Sequence, residues 1–398
     1  VMNIATYGFT IAAARLLGPQ SYGALASLMA TLLVVGVLML GLQATAARRI
    51  SADPEHVAQI ERSIMTLTYR AACTIGVVLL VLSPLINMVL RLDNIVAAVV
   101  LAFTAVPLTM MGGLAGILQG ERRWRPLAVV YAASGVPRLV IGLALILWRP
   151  TELNALIGVG LGALAPVAVG LWVLRHERTE AGRTSQAHQL RPMFREAASA
   201  SQALLAFFAL SNVDVIIARN VLSDHQAGLY AGGLILTKAL LFLPQFVVVL
   251  AFPAMSTAGE RLRALTRSLA LVAVLGAVGT AAALGLSHVA LVFVGGDEYA
   301  EIESRLWAFA VLGTVLSMLQ LLVYSVLARR GQRSVYLVWA ALVVLCVAGL
   351  AADSVDELLT VVILVDTALF AVLLGLSLWL LRRPVLDEEL SDAVPPVG

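Results

Sequence analysis

Asn212, Asp214 and Arg219 sit at the end of an apolar run, within the stretch Ser211 to Tyr230 that reads Ser-Asn-Val-Asp-Val-Ile-Ile-Ala-Arg-Asn-Val-Leu-Ser-Asp-His-Gln-Ala-Gly-Leu-Tyr. Polar and ionisable groups at membrane depth are expensive, which makes them candidates for function. A fainter copy, Ala14-Arg15-Leu16-Leu17-Gly18-Pro19-Gln20-Ser21-Tyr22-Gly23, opens the chain and matches Ala218-Arg219 followed by Ala227-Gly228. Two echoes some two hundred residues apart suggest an internal duplication. Asp214 and Arg219 stand five apart, whereas facing neighbours on a helix are three or four apart. Asp214 is therefore open to three roles: a coupling ion or proton, a pair with Arg138 or Arg15 across a central cleft, or structure. Arg15 and Arg219 either reach a bound ligand or snorkel to the outer surface.

Other ionisable groups lie deeper in apolar sequence. Arg138, in Tyr131-Ala132-Ala133-Ser134-Gly135-Val136-Pro137-Arg138-Leu139-Val140, is near the middle of its run. A guanidinium stays charged when buried and its fork matches phosphate oxygens. A cavity for a phosphorylated ligand is one reading of Arg138, and a partner carboxylate or helix-end carbonyls are the other. Lys238, the only lysine among 27 basic residues, has apolar neighbours and is expected to face a wet cavity. Asp366 is the other deep carboxylate, suited to a proton path or to anchoring an arginine. Gln202 joins Asn212 as a polar position that either lines a cavity or bridges helices.

The elements that must hold these groups follow from composition. The 398 residues are 60% hydrophobic and 13% charged, with mean hydropathy +0.94, too apolar for a soluble enzyme and expected of a polytopic membrane protein. A spanning helix needs roughly 20 mostly apolar residues. About twelve such runs fall near 1–17, 22–46, 64–90, 95–119, 126–148, 154–175, 197–219, 227–254, 265–294, 303–328, 334–352 and 358–381. All are expected to be helical, since hydrocarbon offers no partner for unpaired backbone groups. Alternate breaks collect arginine (Arg48, Arg49 and Arg62; Arg122, Arg123 and Arg125; Arg329, Arg330 and Arg333), while the opposite breaks carry acidic turns such as Asp353 to Glu357. The positive-inside rule then places both termini in the cytoplasm. No cleavable signal is apparent before the first run.

The longest polar interruption, Arg175 to Glu196, divides the runs into two sets of six. The expected organisation is an amino-terminal six-helix lobe over 1–176, a cytoplasmic linker over 177–196, a second lobe over 197–383 and a cytoplasmic tail over 384–398. The fold class is all-α, with about 12 transmembrane helices in two six-helix lobes around a central cavity. Each lobe has an even number of spans, so the repeats share one orientation, as in transporters that place the site between the halves and rock them.

Several chemistries find no support. There is no phosphate-loop motif, His-Glu-x-x-His, Cys-x-x-Cys or Gly-x-Ser-x-Gly in the chain. Gly158-Val159-Gly160-Leu161-Gly162 is half a dinucleotide fingerprint inside an apolar run, better read as close helix packing. Cys73 and Cys346 lie in apolar runs, which suggests neither disulfide nor metal chemistry. Catalysis, a cofactor, a metal and a nucleic-acid partner are not expected.

Ala-Arg-Leu-Leu-Gly-Pro-x-x-Tyr-Gly closing span one (Ala14 to Gly23), Asn-x-Asp in span seven (Asn212 to Asp214) and Ala-Gly-Leu-Tyr opening span eight (Ala227 to Tyr230), together with the six-plus-six organisation, resemble the polysaccharide biosynthesis, or O-antigen-type, flippases. These belong to the multidrug/oligosaccharidyl-lipid/polysaccharide exporter superfamily. The resemblance covers nearly the whole chain. It implies a V-shaped pair of lobes around a cationic cavity that moves a polyprenyl-diphosphate-linked oligosaccharide from the inner to the outer leaflet of a bacterial cytoplasmic membrane, with membrane lipids and a glycan polymerase or glycosyltransferases as further partners. The family's first-span arginine maps to Arg15, and its seventh-span Asn and Asp map to Asn212 and Asp214. Arg138 and Lys238 rest on their depth alone. The lipid II flippase subgroup has two extra spans and more cavity arginines, so a polysaccharide unit is the expected cargo. The alternatives are a multidrug or cation-coupled exporter of the same fold and a transport-inactive scaffold for surface-glycan assembly.

Overall fold

Long apolar runs with no competing backbone partners close their hydrogen bonds within each segment, and helices result. The structure, a computed structural model, is described over residues 2–175, 190–241, 261–328 and 332–382. It is all-α there, with no strand among the described residues. In chain order the helices are α1 (Met2–Ala52), α2 (Val57–Val81), α3 (Ser83–Val89), α4 (Ile95–Gly120), α5 (Trp124–Trp148), α6 (Glu152–Arg175), α7 (Leu190–Val221), α8 (Asp224–Leu240), α9 (Arg261–Gly285), α10 (Ser287–Val294), α11 (Leu306–Ala328), α12 (Gln332–Gly349) and α13 (Val355–Arg382); a 3-10 segment, Asp297–Arg305, precedes α11. Among the described residues nine of these segments are long and apolar enough to cross a membrane.

Glycine and proline set the breaks. At about 1.5 Å per residue, α1 would run about 76 Å if straight, more than twice the roughly 30 Å of bilayer hydrocarbon. It breaks at Gly18, whose φ of 69° is left-handed, and Pro19 starts the next segment. Two of the expected spans therefore occupy α1. The runs expected at 64–90 and 265–294 each end in a separate short helix instead. Ser83-Pro84 starts α3 after α2, and α10 follows α9 at the matching place in the second half. Gly295 and Gly296, both at positive φ, then turn the chain into the 3-10 segment. Ser223 accepts a hydrogen bond from the Gln226 backbone at 3.3 Å and caps α8.

Small residues let the helices approach. A Cβ on Gly112 or Gly116 of α4 would stand 2.4 or 2.6 Å from the carbonyls of Met39 and Gln43 in α1. A Cβ on Gly158 of α6 would lie 2.4 Å from Gly142 Cα in α5, so the glycine-rich run is a packing seam. In the second half α9 and α13 pack on α11, and α12 packs on α7. The halves meet where α1 lies along α7 and α8. There the two sequence echoes touch: a Cβ on Gly228 would fall 1.8 Å from the carbonyl oxygen of Pro19, and one on Gly23 would fall 2.9 Å from Gly228 Cα.

Helix α7 begins at Leu190, inside the expected linker; residues 177–189 and the tail 384–398 lie outside the described residues, as do Pro244, Gln245 and Pro253 of the eighth expected span.

Candidate functional site

Arg138 and Lys238 come from opposite halves and line the same cavity, of about 180 Å³. Arg138 projects from α5, beside Pro137. Its backbone is pinned by α6, since a Cβ on Gly162 would stand 2.5 Å from Arg138 Cα. The guanidinium lies over the Phe9 ring, 5.4 Å from its centroid, and one Nη sits 3.5 Å from Met29 Sδ. Its Nε is buried without a hydrogen-bond partner. Among the described residues it has no carboxylate within ion-pair distance.

Lys238 lies near the end of α8 and donates from Nζ to Asn212 Oδ1 of α7 at 3.2 Å. Asn212, 4% exposed, is thus the support for the lysine and not part of the cavity lining. Asp214, 2% exposed, does not take up the cross-cleft pair with Arg138 or Arg15 that its sequence position allowed. Its Oδ2 accepts from Tyr230 Oη at 3.0 Å and its Oδ1 from the Val215 backbone N at 2.9 Å. Tyr230 is fully buried edge-on against Phe309 and holds the carboxylate in place. Lys238 has the Asn212 amide as its hydrogen-bond partner and the Asp214 carboxylate as an electrostatic neighbour, and it lines the cavity.

The rest of the lining is largely apolar or hydroxylic: Thr6, Tyr7, Thr10, Tyr22, Met29 and Ile235 among others, with no Asp or Glu. Tyr7 closes part of the wall across the two halves, its hydroxyl donating to the Ile235 carbonyl. Two cations facing a small space whose lining holds no carboxylate form a candidate site for an anion, with Asp214 acting on Lys238 from outside that lining.

Asp366, in the middle of α13, is placed away from this lining. It is 1% exposed and both carboxyl oxygens are buried without a partner. Among the described residues it anchors no arginine. Gln202 lines a second, wider groove of about 1070 Å³ with Leu38, Arg191, Arg195 and Leu205.

Arg15 and Arg219, expected among the ligand-binding cations, point elsewhere, because the chain breaks at Gly18 and after Val221 leave both at the far ends of their helices. Arg219 is 3% exposed and donates Nε to the Leu90 carbonyl at 3.1 Å, Nη2 to the Arg91 carbonyl at 2.5 Å and Nη1 to Asp224 at 3.0 Å. Asn220 adds a bond to the Val89 carbonyl at 2.7 Å. Arg15 donates to the Val292 carbonyl of α10. At the opposite, arginine-rich end, Arg48 and Arg49 of α1 both grip Glu196 of α7, Arg49 at 2.7 Å. Sequence reasoning missed the Glu196 clamp and the supporting pair Phe9 and Met29. The clamp had a signal, the adjacent arginines, but nothing local names its partner.

The described helices form an all-α bundle in which residues from both halves of the chain line one cationic cavity, and this fold is similar to that of solved multidrug/oligosaccharidyl-lipid/polysaccharide exporter superfamily transporters. A multidrug-resistance MATE family transporter solved in an inward-facing conformation aligns at a TM-score of 0.78 and 14% identity, covering 96% of this chain and 94% of that one. The eukaryotic MATE transporter AtDTX14 aligns at 0.69 and 13%, covering 95% and 93%. A superfamily transporter from Pyrococcus furiosus, described as having a binding pocket of reverse polarity that suggests a different function, aligns at 0.59 and 16%, covering 96% and 92%. No curated protein matches the sequence. The chain belongs to the polysaccharide biosynthesis protein family, whose model matches residues 1–259.

Proposed function

We propose that the protein is a flippase that moves a polyprenyl-diphosphate-linked oligosaccharide from the inner to the outer leaflet of the bacterial cytoplasmic membrane by alternating access, for cell-surface polysaccharide biosynthesis. The observation behind this reading is the cavity shared by Arg138 and Lys238 with no carboxylate in its lining. A diphosphate leaving water must find replacement donors, and two cations in a low-dielectric site provide them. Arg138 offers a planar fork to two phosphate oxygens, and Lys238, held by Asn212, offers a point charge from the other half. The glycan travels in the wet cleft while the polyprenyl tail stays in lipid, and no covalent bond changes. The lobes over 1–176 and 197–383 rock about their contact, with the arginine-rich ends and both termini in the cytoplasm. A glycan polymerase or glycosyltransferases act before and after it.

The test is Arg138→Ala with Lys238→Ala in cells that build a surface glycan. Lipid-linked glycan accumulating on the inner leaflet, with the protein folded in the membrane, supports the reading. Normal export with both replaced refutes it.

A second reading, a cation-coupled multidrug exporter, draws on Asp366, whose bare carboxyl oxygens suit a proton or an organic cation. Drug sensitivity on Asp366→Asn without a glycan defect would favour it.

A further inference from the structure

The groove of about 1070 Å³ is not absorbed by the cavity site. Ligand pockets commonly run roughly 300–1,000 Å³, so the 180 Å³ cavity takes a diphosphate-sized group while the groove is large enough for the headgroup around it. Its described lining comes from α7, Glu196 and Ser201 included, plus Leu38 of α1. At 100° per residue, Arg191, Arg195, Ala198, Gln202 and Leu205 form a stripe that continues to the half-buried Ala209, with the buried Asn212 a turn beyond. Exposure follows the stripe. Arg191, Arg195 and Gln202 are exposed and Ala198 and Leu205 half-buried, whereas Met193 and Ala197, turned away from the groove, are buried.

The charges along this stripe are uncommitted. Glu196, the carboxylate within the groove's own lining, is held by Arg48 and Arg49. Neither Arg191 nor Arg195 has an ion pair or side-chain hydrogen bond among the described residues. From Arg195 the helix climbs about 25 Å to Asn212, which holds Lys238 at the cavity.

We propose that this groove is a loading site for a diphosphate headgroup, with Arg191 and Arg195 as the pair that first captures the anion and the α7 stripe as its path to Arg138 and Lys238. The proposal rests on the flippase reading. Two guanidiniums one turn apart present forks to the same oxyanion, and with Glu196 of the lining paired to Arg48 and Arg49 the net positive field raises the association rate of an anion. The inner pair, deeper and drier, then sets how long it stays.

The experiment uses the purified full-length protein in nanodiscs, with inorganic pyrophosphate and farnesyl diphosphate as probes. For Arg191→Gln/Arg195→Gln the association rate should fall about tenfold at low salt for both probes, with a flatter salt dependence and an unchanged dissociation rate. Arg138→Gln should do the reverse. A double variant that associates like the wild type overturns the proposal, and so does a loss seen with farnesyl diphosphate alone, because the shared diphosphate would then not be the ligand. A thermal midpoint equal to wild type confirms that only charge was removed. Independently, Ala198→Cys should react with a water-soluble maleimide and be protected by pyrophosphate. Reaction with a lipid-soluble maleimide alone would place the stripe against lipid and end the proposal. If these groove results hold while Arg138→Ala with Lys238→Ala leaves glycan export normal, the flippase reading falls and the diphosphate groove stands. If pyrophosphate binding depends on Arg138 and Lys238 but not on Arg191 and Arg195, the groove falls alone.

Discussion

Arg15 and Arg219, matched in the two echoes, each reach into the opposite half and donate to backbone carbonyls at a short helix: Arg15 to Val292 of α10, Arg219 to Leu90 and Arg91 just past α3. The short helices are themselves counterparts, Ser83–Val89 and Ser287–Val294. Cations at helix C-termini satisfy carbonyls that lack an intrahelical partner and oppose the negative end of the helix dipole. The pair forms a reciprocal clasp between the halves, at the end away from the Arg48, Arg49 and Glu196 clamp.

The clasp is unequal, and stability should report it. Arg219 is 3% exposed with three acceptors, whereas Arg15 is exposed with one. Arg219→Ala leaves the buried Leu90 carbonyl and the part-buried Arg91 carbonyl without their donor and should cost about 1–3 kcal/mol, against about 0.5–1 kcal/mol for Arg15→Ala. Thermal unfolding in detergent measures both. Equal losses would mean that burial does not set the strength of the clasp.

Arg138→Lys keeps the charge and removes the fork. With Phe9 and Met29 fixing the guanidinium plane, a lysine cannot meet two phosphate oxygens together. Pyrophosphate affinity should drop about tenfold, equivalent to about 1.4 kcal/mol, without loss of folded protein. Titration calorimetry would detect it, and full affinity in the lysine variant would reduce the site to a general positive field.

Asn212→Asp should weaken the same ligand through Lys238. The amide oxygen already accepts from Nζ at 3.2 Å, so a carboxylate there makes an internal ion pair and cancels the cavity's second cation. About a tenfold loss of pyrophosphate affinity is expected, with Asn212→Gln milder. Affinity that survives Asn212→Asp would show that Lys238 plays no part in binding.

Gly162→Ala tests whether helix packing aims Arg138. The added Cβ would meet Arg138 Cα at 2.5 Å, and backbone has to move to admit it, whereas nothing lies within 4 Å of a Cβ on Gly8. Gly162→Ala should reproduce the binding defect of the Arg138 variants, while Gly8→Ala binds as wild type. A normal Gly162→Ala would show that α5 can shift without moving the site.

The sequence by itself determined the class of this protein. Apolar runs of spanning length force helices because the bilayer supplies no backbone partners, and the Gly18-Pro19 break follows from local backbone preference alone. Depth in the runs was enough to single out Arg138 and Lys238, since a charge in apolar sequence is conspicuous without knowing its neighbours. It was not enough for Arg15, Arg219 and Asp214. Their roles depend on what stands opposite them, and their partners are the carbonyls of Val292, Leu90 and Arg91 and the hydroxyl of Tyr230. A backbone carbonyl has no sequence signature, and a hydroxyl partner is one of many. Only the tertiary structure, by bringing α1 against α7 and α8, decided that two cations from distant segments share one cavity while two others hold the halves together.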